Sequence, residues 1–320
     1  MPISILRYRT SDQSEPHWGV VFGQRVAPLS GRYASTRDLL LAGQADIAAQ
    51  CAIDATLSID GLQALSPVTE QQQFLCQGIN YRSHVQESGL DLKAIPFNTF
   101  FTKASSSLCG AHDPIKRPSH VALLDYEIEL GLVIGRDLLH PAGVAPDRLH
   151  EFLAGVTIVN DLSARDVQLP QTQFYKGKSY RGFGPAGPYL VLLTPQEWKR
   201  WPELHMCLKV NGEIRQNAFC GEMIHQPAAT VSEFSELQNL YAGDLIATGT
   251  PAGCAAKAPS RFVSWIAKHL LSEQKKWQTF IRNGMSNRLY LHHDDLLSLT
   301  IRTDDGQIDL GEQRNRILAD

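Results

Sequence analysis

From Phe74 onward the chain is written as many short β-rich runs separated by Gly/Pro turns, and this texture constrains the fold more than any other feature. Ile128 to Ile134, Gly155 to Val159, Tyr189 to Leu193 and Leu204 to Val210 are examples, and runs of this length and composition read as strands. Asn211-Gly212 lies between Leu208-Lys209-Val210 and Glu213-Ile214-Arg215, the hairpin signal in which both central positions accept positive φ. Asp294 to Ile301 alternates again and predicts a closing strand pair around Asp305-Gly306. One stretch breaks the pattern: from about 258 to 290, Phe262, Ile266, Leu270, Trp277 and Ile281 recur at near-helical spacing among Lys, Arg and Gln, predicting one or two amphipathic helices. Ahead of Phe74, Ile3 to Tyr8 and Trp18 to Phe22 alternate in short bursts and Thr36 to Ala49 has a helical pattern. The expectation is therefore a β-rich α+β protein: a small N-terminal α+β domain over 1–70 and a sheet-dominated catalytic domain over 71–320, with a helical insertion at about 258–290.

Charge narrows the class of partner. The formal net charge is -3 and no long Lys/Arg run occurs, which argues against nucleic acid or an anionic membrane and leaves a small molecule as the default ligand. No segment approaches the ~20 apolar residues of a membrane span, and the opening MPISILRYRT is too short and polar for a secretory signal, so a cytoplasmic location is expected. Cys51, Cys76, Cys109, Cys207, Cys220 and Cys254 are scattered without a CxxC pair and read as reduced packing residues.

The chemistry is carried by acids. In Asp125-Tyr126-Glu127-Ile128-Glu129-Leu130 a strand would place Asp125, Glu127 and Glu129 on one face, because side chains alternate with period two. Like charges so placed repel, and an otherwise apolar strand gains nothing by burying them unless a cation neutralises them. Asp161 ends the apolar run Gly155 to Asn160, where a buried strand would deliver it to a sheet rim. An all-oxygen donor set suits Mg2+ or Mn2+ better than zinc. The plain alternative is the exposed polar face of an edge strand. His84 and Glu87 are spaced to share one face of a helical turn, where a carboxylate can orient an imidazole, although the same pair is common on solvated helices. Gly177-Lys178-Ser179 looks superficially like a phosphate loop, but position 172 is Thr rather than Gly and no buried strand directly precedes it. Thr250 lies in a Gly-rich turn that serves equally as a plain tight turn or as a place where amides approach a carboxylate.

Four ordered stretches together carry a resemblance: Gly78-Ile79-Asn80-Tyr81-Arg82-Ser83-His84-Val85-Gln86-Glu87, Asp125-Tyr126-Glu127-Ile128-Glu129, Asn160-Asp161-Leu162-Ser163-Ala164-Arg165-Asp166-Val167-Gln168, and Thr248-Gly249-Thr250-Pro251-Ala252-Gly253. The chain resembles the fumarylacetoacetate hydrolase family over about 74 to 257 and again from about 292. The resemblance implies a mixed β-roll and a homodimer. It also implies a Mg2+ or Mn2+ ion on Glu127, Glu129 and Asp161, a water activated by His84 with Glu87 on a mobile lid, and Lys178, Arg165 and Gln168 on substrate oxygens. Tyr81 and Lys103 match positions near the family pocket, and Thr250 is a candidate substrate contact. His292-His293 lacks further ligands nearby, so a structural or surface role is expected. The implied activity is hydrolytic cleavage of a carbon–carbon bond in an acylpyruvate-like or fumarylpyruvate-like acid. Its rivals are decarboxylation, isomerisation or hydration of a 2-oxo acid in aromatic catabolism, and, more remotely, a non-catalytic metal-binding protein. The 258–290 stretch is longer than the family's usual connection after the Thr-Gly-Thr-Pro turn.

Overall fold

The computed structural model describes residues 1–10, 15–52, 55–89, 97–257 and 272–319. Among these, eleven strands form one mixed sheet in the order Leu57–Ser58, Arg25–Pro28, His17–Phe22, Ile3–Thr10, Tyr189–Leu192, Leu153–Asn160, Ile128–Ile134, Leu245–Ala247, Phe74–Gly78 and Thr99–Lys103, with Leu62–Leu65 also paired to Ile3–Thr10. A second sheet of five runs Glu213–Phe219, His205–Val210, Leu296–Arg302, Asp309–Ala319 and Ile115–Arg117. The β-rich α+β fold expected from the sequence is the one observed.

The central strand Ile128–Ile134 shows why the sheets pack. Every residue in it is buried, and alternation separates its two faces. Ile128, Leu130, Leu132 and Ile134 share a core with Met206, Leu208, Leu297, Leu299 and Ile301 of the five-stranded sheet. Val133 joins a different core on the opposite face, with Ile5, Val20, Leu39, Ile47, Phe74 and Leu245. Each such buried aliphatic side chain contributes about 1.5–3 kcal/mol. Glu129 belongs to the same parity as Val133, and its carboxylate is the exception on an otherwise apolar strand.

Local signals behave as chemistry requires. Val210 pairs with Glu213 across Asn211 (φ 52) and Gly212 (φ 85), the two-residue hairpin whose left-handed centre matches strand twist. The helical pattern at 36–49 resolves into Thr36–Ala42 and Gln44–Gln50, broken at Gly43, whose N–H caps Leu39 O. Within 258–290, Ser272 caps a helix over Glu273–Met285 by accepting the N–H of Lys275. Positions 258–271, with Phe262, Ile266 and Leu270 of the expected stripe, lie outside the described residues. All six cysteines are unpaired, and no described helix is long and apolar enough to cross a membrane.

Candidate active site

The acidic centre forms where two neighbouring strands reach one rim. Leu153–Asn160 ends immediately before Asp161, and the N–H of Asp161 donates to Glu127 O at 2.9 Å. The sequence expectation of one continuous strand through Asp125, Glu127 and Glu129 needs correction. Leu124–Asp125 pairs separately with Ser163–Ala164, and the longer strand begins only at Ile128. Side chains take over from the ladder at the break: Asn160 Oδ1 accepts the N–H of Glu127 at 3.0 Å, and Gln216 Oε1 accepts that of Ile128, also at 3.0 Å. The break separates the roles of the acids. Asp125 is consumed structurally, accepting from the amides of Ala255 (2.8 Å), Ala256 (3.0 Å) and Tyr126 (2.9 Å) and from Arg165 Nε (2.8 Å). Glu127, Glu129 and Asp161, all buried, offer carboxylate oxygens lying within 4.8 Å of one another.

Three buried cations surround these acids. Lys178 Nζ bridges Glu127 (2.7 Å) and Asp161. Lys103 Nζ donates to Asp161 Oδ1 at 2.6 Å and to Phe183 O at 2.7 Å. Arg165 binds Asp125, Glu127 and, at 2.8 Å, Gln168 Oε1. Burial alone would raise the Glu127 carboxyl, but Lys178 and Arg165 reverse that and hold it below its usual range. Burial would likewise lower Lys178, yet Asp161 and Glu127 raise it, so it stays an ammonium. Glu129 differs: burial, then the charges of Asp161 and Glu127, push its carboxyl well above the ordinary value. The one hydrogen bond it receives among the described residues is from the N–H of Gly249, at 2.8 Å.

The donor chemistry fits a hard divalent cation. Asp125, Glu127, Glu129 and Asp161 are four buried acids against the three buried bases Lys103, Arg165 and Lys178, so full ionisation leaves one negative charge uncompensated. Glu127, Glu129 and Asp161 retain oxygen lone pairs, and a cation would stabilise the ionised Glu129 that its neighbours disfavour.

The turn after Leu245–Ala247 supplies the opposite wall. Gly249 has φ +85, and a Cβ there would lie 2.8 Å from Asn80 Cβ, so only glycine brings its amide to Glu129. The carboxylate met by this turn is thus the protein's own. Thr250 lines the cavity, but its hydroxyl is committed, donating to Ile128 O at 2.9 Å and accepting from Gln216 Nε2 at 2.8 Å.

His84 lies on the short helix Arg82–Glu87. Asn80 anchors that helix's entry, its amide donating to Gln77 Oε1 (3.0 Å) and Thr248 O (2.9 Å) and its Oδ1 accepting the N–H of His225 (2.7 Å). The exit is anchored by Glu87, which accepts the N–H of Gly253 at 2.8 Å and pairs with Lys257 at 3.4 Å. Glu87 therefore fixes the helix to the turn, and its recorded bonds do not include the imidazole. His84 Nδ1 is buried with no hydrogen-bond partner among the described residues. Burial lowers the His84 pKa, with Glu127 opposing, which favours the neutral, proton-accepting form.

His84, Glu127, Glu129, Asp161, Arg165, Gln168, Lys178 and Thr250 line one cavity of about 1010 Å³. Glu87 stands behind it. Tyr81 is not in the lining: it is fully buried, its hydroxyl 3.9 Å from Met206 Sδ. Lys103 is also behind the wall, as the partner of Asp161. His292 and His293 are exposed, beside Asp295 and Asp294. Asn80, Gln216 and Gly249 were not singled out in the sequence as individual site residues. Asn80 and Gly249 lie within the stretches that carry the resemblance, whereas Gln216 has only the signal of a polar residue on a strand.

A family model for the C-terminal domain of fumarylacetoacetate (FAA) hydrolase matches residues 73–318. An uncharacterized protein of Staphylococcus aureus (strain USA300) is 38% identical over 215 residues, covering 66% of this chain and 68% of its own. Among solved structures, the fumarylacetoacetate hydrolase from the psychrophile Exiguobacterium antarcticum superposes with a TM-score of 0.71 at 27% identity, covering 99% of this chain and 100% of that one. A probable 2-hydroxyhepta-2,4-diene-1,7-dioate isomerase from Mycobacterium abscessus superposes with a TM-score of 0.73, also at 27% identity, over 100% and 99% of the two chains.

Proposed function

Because the chain belongs to the fumarylacetoacetate hydrolase family, we propose that it is a divalent-metal-dependent hydrolase that cleaves a carbon–carbon bond in a small 2,4-dioxo acid. Glu127, Glu129 and Asp161 would hold Mg2+ or Mn2+, which supplies Lewis-acid polarisation of substrate oxygens when bound. The observation that carries the hydrolytic reading is His84: a half-buried imidazole whose Nδ1 has no partner among the described residues lines the same cavity as the three acids.

In this reading the neutral His84 takes a proton from water as its oxygen bonds to the distal carbonyl carbon. The bond between that carbon and the central CH2 then breaks, its electron pair passing to the 2-oxo acid half as an enolate. Return of a proton to the former CH2 carbon of the enolate gives pyruvate, and the attacked carbonyl carbon leaves as the carboxylic acid of the tail, so one water is consumed and the atoms balance. Lys178 supplies positive charge where oxyanion character develops, and the Gln168 side-chain N–H donors, not engaged by Arg165, are suited to orient substrate oxygen. Glu87 acts through the helix it anchors. The small acid as substrate and a second copy of the chain as partner belong to the same proposal.

A second reading, isomerisation of an enol dioic acid, is favoured by the isomerase name borne by one structural relative. It needs a proton shuttle but no attacking water. The test is product analysis by NMR with a 2,4-dioxo acid and Mg2+. Hydrolysis yields equal amounts of pyruvate and tail acid, and His84→Ala is expected to lower kcat by about a hundredfold or more while metal affinity stays. Glu87→Gln, which keeps an acceptor for Gly253, is expected to lose less. Near-normal cleavage by His84→Ala, or tautomer exchange without cleavage, would overturn the hydrolytic reading.

A further inference from the structure

The acids occupy only part of the cavity wall. Another part is the helix Glu273–Met285, which turns Lys276, Trp277, Phe280, Asn283 and Gly284 toward the cavity, one helical face by spacing. Trp277 and Phe280 meet edge to ring, with centroids 5.9 Å apart and planes at 89°, and Phe280 packs on the main core. The cavity is also lined by Phe101 and Phe174, stacked at 5.1 Å. The four rings carry no charge, and the lysines near them have acid partners: Lys178, whose Nζ lies 5.4 Å from the Phe101 centroid, pairs with Glu127 and Asp161, Lys276 with Glu273 at 2.6 Å and Lys257 with Glu87 at 3.4 Å. At about 1010 Å³ the cavity is at the upper end of the roughly 300–1,000 Å³ that encloses drug-sized ligands.

We propose that Trp277 and Phe280, with Phe101 and Phe174, form a tail subsite, so that the substrate is an oxo acid with an uncharged aromatic tail instead of a second carboxylate. This rests on the proposed reading of the site as one that takes an oxo acid. Aromatic rings gain from burial and from offset or edge-on contacts with other rings, whereas a distal carboxylate would enter a ring-lined wall whose cations, among the described residues, have acid partners.

The experiment separates the subsite from the hydrolytic step by measuring binding as well as turnover. The Mn2+-loaded protein is titrated calorimetrically with three 2-oxo acids that have no 4-oxo group to cleave: 2-oxobutanoate, 4-phenyl-2-oxobutanoate and 2-oxoadipate. The phenyl compound is expected to bind at least about tenfold tighter than either of the others, within the 10–200-fold range of pocket discrimination. Trp277→Ala and Phe280→Leu should each reduce that ratio at least about threefold, with thermal melts identifying which variants are folded. Matching kcat/KM ratios are then read for 2,4-dioxo acids with methyl and phenyl tails. Phenyl preference in binding without any cleavage refutes hydrolysis and keeps the subsite. Equal or tighter binding of 2-oxoadipate, or an unchanged ratio in a folded variant, overturns the subsite.

Discussion

Burial, and then the neighbouring charges of Asp161 and Glu127, push the Glu129 carboxyl well above the ordinary glutamate value of 4.5. The folded metal-free protein then binds more protons than the unfolded chain between 4.5 and that raised value, so its stability falls as pH rises through the window. A cation that needs ionised Glu129 must release the proton, and its affinity must rise with pH. For EDTA-treated protein we expect the Kd for Mn2+ to fall as pH rises, by up to about tenfold per pH unit while Glu129 is still protonated in the metal-free protein. EDTA should also abolish turnover, and Mg2+ or Mn2+ should restore it. Glu129→Gln should bind metal more weakly and flatten the slope. A pH-independent Kd in the unaltered protein, measured by isothermal titration, would remove Glu129 from the ligand set. Glu127, held below its ordinary range by Lys178 and Arg165, contributes less to the slope.

Among the elements, the helix Glu273–Met285 depends on one close approach. A Cβ at Gly284 would lie 2.6 Å from both Leu123 methyl carbons, and Leu123 is fully buried. Gly284→Val should therefore cost about 1–3 kcal/mol through overpacking, lower Tm, and shift the wall that carries Trp277 and Phe280. An unchanged urea midpoint would show that the helix seats elsewhere. The strands and the Asn211-Gly212 hairpin were legible in sequence because alternation and turn residues are local signals. Glu127, Glu129 and Asp161 were legible as acids in apolar runs. Less was visible where partners are distant in the chain. Lys103 binds an acid 58 positions away and Glu87 an amide 166 positions away, and neither pairing leaves a local pattern. Tyr81, near the pocket by motif, is drawn into the core because its aromatic ring packs there with Met206. The break after Asp125 was hidden because Asn160 and Gln216 replace ladder bonds with side-chain bonds.

For the whole molecule, the division at 70/71 is a proposal about chain units, and the main sheet gives it a consequence. Ile3–Thr10 pairs with Tyr189–Leu192 on one side and His17–Phe22 on the other. A protein cut to 71–320 would present the strand containing fully buried Leu190 and Val191 as a bare edge, a surface on which strands of other chains add. We expect that fragment to elute as aggregate in size-exclusion chromatography, and co-expressed 1–70 to recover a discrete species. A monodisperse, metal-binding 71–320 would refute this. The same pairing sets a schedule for synthesis. His17–Phe22 and Leu62–Leu65 can meet the first strand early, but Ile3 to Leu6 must wait for Tyr189 to Leu192. At roughly 5–20 residues per second that wait is on the order of ten to forty seconds, during which one end of the nascent protein's first strand has an open side and no native partner yet made.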